Sequence, residues 1–178
     1  MLPRLVAAAA VVLLAAGAAT ASTPRRVIQG DRSVGPVRLG RATAPDASVR
    51  FRDDGVRRLR RRPGSCLVTW PRIGLGVDFG TIGGDPANPC RSGVALVATV
   101  TSRAAWRTAL SLRVGDSVTR LRRLYGRAAL RGSGFDRGWW LVPRHACAEV
   151  GGAAYPGLLA RVRNGRVAAL VARVGVCD

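Results

Sequence analysis

The sequence predicts an α+β fold of two tandem repeats, each a helix packed on an antiparallel β-meander, with disulfides. Three observations carry that reading. In residues 111–126 the apolar pattern passes from alternation, through Gly-Asp-Ser, into helical spacing. Asn164-Gly165 stands between two long apolar runs, the strongest short hairpin signal. Four cysteines, Cys66, Cys90, Cys147 and Cys177, fall two to each half of the chain.

The N-terminus comes first. Arg4 precedes an apolar run over residues 5–19, and Ala19-Thr20-Ala21 forms a small-x-small cleavage site. Residues 1–21 are therefore expected to be a signal peptide, because the run is mostly alanine and falls short of the roughly 20 residues needed to cross a bilayer. No cysteine follows the run to accept a lipid. The product is expected to be secreted or cell-wall associated, beginning near Ser22. Residues 22–32 read as an N-terminal extension, 33–104 as the first repeat and 105–178 as the second.

In the first repeat, Val37-Arg38-Leu39-Gly40 reads as a short strand closed by a turn. Residues 47–62, ASVRFRDDGVRRLRRR, place Val49, Val56 and Leu59 on one face and form the expected helix. Gly55 inside that run makes a short, loop-rich segment the alternative. Cys66-Leu67-Val68-Thr69-Trp70 reads as a strand, and residues 74–79 and 94–101 as hairpin arms around a long loop holding Cys90.

The second repeat joins the first near residues 102–108. Leu110, Leu112 and Val114 alternate like a half-buried strand. Gly115 permits a turn, Asp116 or Ser117 can cap a helix, and Val118, Leu121, Leu124 and Tyr125 recur at helical spacing until Gly126 stops it. Trp139-Trp140-Leu141-Val142 reads as a strand, and residues 157–163 and 166–174 as the arms of the Asn164-Gly165 hairpin. Three cysteine pairings are possible. The duplication favours one bridge per half, Cys66 to Cys90 and Cys147 to Cys177.

An apolar strand, a Leu/Val-Gly step, a polar cap, a helix ending Tyr-Gly and a meander, written twice with a disulfide each, resemble the β-lactamase-inhibitor-protein-like fold. Single repeats of that kind also occur in small outer-membrane assembly lipoproteins. Residues 37–40, 112–126 and 158–174 carry the likeness. The resemblance implies that the sheets form a concave, protein-binding face, and it implies no catalysis. The chain lacks the lipidated cysteine of the lipoproteins, and none of the inhibitor's contact residues carries over to it.

Charge sets the remaining expectations. The chain has 29 basic residues, all arginine, against nine aspartates and Glu149, and loss of Arg4 leaves +18 of its +19. Arg57, Arg58, Arg60, Arg61 and Arg62, with Arg120, Arg122 and Arg123, are expected on the outer faces of two helices. They are candidate contacts for anionic wall polymer or membrane surface. No sequence-reading nucleic-acid motif is present. Trp139 and Trp140 must point to opposite faces of a strand, so one is expected in the core and the other as an interface anchor.

Catalytic and metal signatures are sparse. His145 is the only histidine and the only plausible general base; serine occurs in no Gly-x-Ser-x-Gly setting. Asp53-Asp54 are flanked by Arg52 and Arg57, which favours salt-bridging. CxxC and CxxH spacings are missing, and the glycine-rich stretches open no helix that could receive a phosphate, so no metal or cofactor is expected. The leading expectation is a secreted, non-enzymatic binding module that contacts a protein through a sheet face. The alternatives are a cell-envelope structural protein held by its basic surface and a small secreted hydrolase using His145.

Overall fold

The computed structural model describes residues 26–55, 57–81, 88–102, 106–145 and 154–174. The expected signal peptide and the expected Cys147–Cys177 bridge lie outside the described residues. The fold is α+β, with two sheets and a few short helices. In chain order the elements are β1 (Val27–Gln29), β2 (Ser33–Val34), β3 (Val37–Arg38), α1 (Ala44–Arg50), β4 (Arg58–Arg62), β5 (Ser65–Trp70), β6 (Leu75–Gly80), α2 (Pro89–Ser92) and β7 (Val94–Val100). They continue with β8 (Arg107–Thr108), α3 (Val118–Leu124), β9 (Ala129–Arg131), β10 (Gly138–His145), β11 (Ala154–Arg163) and β12 (Arg166–Arg173).

The large sheet has the order β4-β5-β6-β7-β12-β11-β10-β9 and is antiparallel throughout. Alternate residues of its strands, among them Val68, Trp70, Val77, Phe79, Val100, Leu158 and Leu170, are buried in one core with Ala44 and Ala47 of α1 and Leu121 of α3. The segment before each of these helices is tied to the sheet by a pair of backbone hydrogen bonds. Gly40 N donates to Ala95 O (2.7 Å) and Ala95 N to Ala42 O (2.8 Å). Gly115 N donates to Val167 O (2.7 Å) and Val167 N to Asp116 O (2.8 Å).

Both helices begin on side-chain caps. Thr43 Oγ1 accepts from Asp46 N at 3.4 Å and Asp46 Oδ2 accepts from Thr43 N at 3.1 Å, a reciprocal capping box. Hydrogen bonding from the Thr43 side chain, then from its backbone, holds the Asp46 carboxyl below its ordinary value of 3.8. Ser117 Oγ accepts from Arg120 N at 3.2 Å, as the sequence led one to expect of an N-cap there. The Asn164-Gly165 turn also forms as expected, with φ of 52° and 70° at its two residues and β11 antiparallel to β12. The Cys66–Cys90 bridge joins β5 to α2 across a Cα separation of 5.0 Å.

The expected helix over residues 47–62 is corrected. Helix α1 ends at Arg50, and Phe51 turns inward to pack at a tilt against Trp70 (5.1 Å between centroids) and edge-on against Trp106 (6.2 Å). Of the face read as apolar, Val49 is 67% exposed and Leu59 45%, and Val56 lies outside the described residues. Arg58–Arg62 instead forms the edge strand β4, paired to β5 from Arg58↔Thr69 to Arg62↔Ser65. A helix over this run would crowd like charges at three- and four-residue spacing, which strand geometry relieves by sending alternate side chains to opposite faces.

The strand expected at Leu110, Leu112 and Val114 is also displaced. Ser111 has φ of 65°, which breaks the extended run, and the strand lies earlier as β8. Strand β8 pairs in parallel with β1 (Val27↔Arg107, Ile28↔Thr108), giving a second sheet of order β3-β2-β1-β8. Ile28, read as part of an extension, is thereby fully buried in the main core.

Candidate binding face and basic edge

The sheet register defines the face turned away from the helices. One row runs Arg60, Leu67, Asp78, Val97, Arg173 across β4, β5, β6, β7 and β12. The next runs Arg58, Thr69, Gly76, Thr99, Val171, Leu159, Trp140 and ends at Ala129 on β9. The two ends of this face differ in what lies over them.

Over β10 to β12 the 3₁₀ turn Gly134–Asp136 folds down onto the sheet. Trp140 Nε1 donates to Asp136 O at 3.0 Å, Arg173 Nη1 pairs with Asp136 Oδ1 at 2.6 Å, and Arg161 Nη2 donates to Phe135 O at 3.0 Å. Beneath it Trp140 (8% exposed), Leu159 and Val171 form a separate apolar cluster with Val97. Trp139 faces the helix side, half-buried, with the Arg122 guanidinium 4.9 Å from its ring centroid. Both Trp139 and Trp140, the two candidates for an interface anchor, one of them expected in the core, are thus packed against other groups of the chain.

Over β5 to β7 the face is open. A groove of about 560 Å³ has Leu67, Thr69, Gly76, Val97 and Thr99 on its floor, with Arg62 and Phe135 among its walls. Gly76 leaves the floor low, since it has no side chain to fill the space. Asp78 also lines the groove; its Oδ1 is shielded from solvent and has no hydrogen-bond partner among the described residues. Phe135 is 58% exposed, an aromatic edge held in place by the covering turn. Sequence alone marks Gly76 only as a residue of the 74–79 hairpin arm, and Phe135 falls between the expected helix and the Trp139–Val142 strand, where no element is expected. The glycines around Phe135, at 132 and 134, were the one available signal of a tight turn presenting it.

The basic residues separate into two regions. Arg58, Arg60 and Arg62 project on the open side of β4, while Leu59 and Arg61 alternate toward the helix side, and all five are exposed. Arg57 donates to Ser48 Oγ. Arg120 pairs with Asp116 (3.1 Å), and Arg122 lies over Trp139 on β10, six strands from β4 or about 29 Å at about 4.8 Å per strand. The two clusters do not form one surface.

His145 is exposed at the end of β10 and makes no side-chain hydrogen bond to any described residue. Asp54 pairs with Arg26 (2.8 Å) and Asp53 with Arg52 (3.7 Å), the solvated salt-bridging expected of them. Among the described residues no group of three or more His, Cys, Asp or Glu could hold a metal ion, and no helix is long and apolar enough to cross a membrane. No family model, curated protein or solved structure matches the chain.

Proposed function

We propose that this chain is a secreted, non-enzymatic binding module, built from two tandem copies of one α+β unit, that grips a protein partner through the open face of its large sheet. The duplication is supported by the strand order, which reads β4-β5-β6-β7 inward from one edge and β9-β10-β11-β12 inward from the other, and by the matched hydrogen-bond pairs at Gly40/Ala95 and Gly115/Val167. The same arrangement supports the resemblance to the β-lactamase-inhibitor-protein-like fold. Export is supported by the apolar run before Ala19-Thr20-Ala21 and by the Cys66–Cys90 bridge, which suits an oxidising compartment.

The observation that carries the binding reading is the groove itself. An apolar floor lies between the Phe135 ring and the Arg62 guanidinium, with Asp78 in the lining. An apolar side chain of the partner fits this floor, with Phe135 as the anchor of the contact.

Gly76→Phe tests this. A Cβ at Gly76 would meet Thr69 Cγ2 at 3.5 Å and Leu67 Cδ1 at 3.7 Å, ordinary contact distances, so the ring fills the groove without backbone strain. The wild-type protein should retain a partner from the producer's secreted fraction in about 1 M salt, where charge attraction is screened within about 3 Å. Gly76→Phe and Phe135→Ala should each release it. Equal retention by Gly76→Phe would sink the reading.

A further inference from the structure

We propose that β4 is a docking edge for an acidic, extended segment of a partner protein, which adds to the sheet as a further strand beyond Arg58–Arg62. This edge adjoins the groove and shares Arg62 with its wall, but the ladder groups of β4 lie outside it and the proposal does not depend on what the groove binds.

Strand β4 is the terminal strand of the large sheet and pairs only with β5, so its outer row of backbone N–H and C=O groups has no ladder partner among the described residues. The opposite edge, β9, offers three residues against five. A five-residue edge with an open ladder is a template for another strand. Its side chains decide which strand. Arg58, Arg60, Arg61 and Arg62 enter no ion pair with a described residue, and along the row that begins at Arg60 the first acid is Asp78, two strands inward.

A second copy of the same edge would bring arginine against arginine, so the charges oppose self-pairing. An acidic segment reverses that sign. On an added strand, alternate residues project on one face, about 6.4 to 6.8 Å apart, the repeat at which Arg58, Arg60 and Arg62 project. The complementary segment therefore carries carboxylates at alternate positions. On its other face it meets Leu59, which calls for an apolar residue, and Arg61. Exposed ion pairs are individually weak, so affinity rests on several acting together with the backbone ladder. A polyanion would use the guanidinium groups and ignore the ladder. The coincidence of charge and open backbone on one strand favours a peptide over a polymer.

The test is direct binding of the full chain, by fluorescence anisotropy, to a blocked nonapeptide alternating glutamate and valine. The comparison probes are the same peptide with alternate backbone amides N-methylated, and inorganic polyphosphate. The alternating peptide should bind, and N-methylation, which leaves its charge intact, should weaken binding about tenfold or more. Replacing Arg58, Arg60 and Arg62 by Gln should abolish binding; these side chains are exposed, so circular dichroism and melting should be unchanged. Three results would overturn the proposal: no binding of the alternating peptide, an N-methylated peptide that binds within about twofold of the parent, or polyphosphate that binds as tightly and is lost with the same three arginines. The last would make the edge a polyanion patch.

Discussion

The guanidinium of Arg161 lies 4.7 Å from the Phe135 ring centroid while its Nη2 donates to the Phe135 carbonyl oxygen at 3.0 Å. One side chain on β11 thus holds both the ring and the backbone of the turn that covers Trp140 and walls the groove. Arg161→Ala should cost about 1 kcal/mol, the order of one half-exposed cation–π contact and one hydrogen bond. Amide exchange at Asp136 and Arg137, whose N–H groups close the turn onto Ser133 and Gly134, should accelerate, and Trp140 emission should shift to the red. Unchanged exchange would mean that the turn stands without Arg161.

The disulfide makes a larger claim. Cys66 is fully buried on β5, and its bridge to Cys90 closes a loop with a sequence separation of 24 residues, tying α2 to the sheet. Restriction of the unfolded chain by a loop of that length contributes about 3 kcal/mol. Cys90→Ser, which alters the more exposed partner, should lower the urea midpoint by a corresponding amount. Stability equal to the wild type would show that the bridge constrains little.

What was legible in the sequence was local. Ser117 as a cap, the spacing of Leu121 and Leu124 with the stop near Gly126, and the Asn164-Gly165 turn each lie within a few residues of the structure they specify. Strand β4 was missed because arginine has good helix propensity and a single apolar residue, Leu59, gives no alternation to read. The pairing of β1 with β8 joins Ile28 to Thr108 through elements of two or three residues, too short to carry a pattern. The groove depends on register: only the pairing of Thr69 with Gly76 and of Gly76 with Thr99 places a glycine at its floor. The placement of the turn that covers Trp140 depends on Asp136 meeting Arg173, 37 residues away.

The Asn164-Gly165 turn should be intolerant at its second position. Gly165 has φ of 70° with open space around it, so a substitution there is resisted by backbone conformation and not by crowding. Gly165→Val should cost about 1–2 kcal/mol or more, the penalty for a side chain in the left-handed region, larger for a β-branched one. Asn164→Gly, at φ of 52°, should stay within about 0.5 kcal/mol of the wild type. Paired denaturation curves of the two variants check this, and equal midpoints would contradict the turn geometry.

Tyr125 should make the protein sensitive to alkali. Burial raises its phenol above the ordinary value of 10.0, against the opposing effect of hydrogen bonds with the Thr108 side chain and the Leu110 backbone. In the unfolded chain the same phenol ionises near 10, so just above that pH the unfolded state has released a proton that the folded state still holds. Rising pH then favours unfolding. The contribution of Tyr125 is fully present below about pH 10 and is lost as pH climbs through the raised folded value, with a slope of at most about 1.4 kcal/mol per pH unit. Tyr155 is the only other tyrosine, so Tyr125→Phe leaves a single phenol and a simple ultraviolet titration. The difference between the wild-type and Tyr125→Phe titrations should show a phenol ionising above 10. Urea midpoints between about pH 9 and 11 should fall less steeply for Tyr125→Phe than for the wild type. Parallel curves for the two proteins would show that Tyr125 ionises as freely folded as unfolded, which its burial argues against.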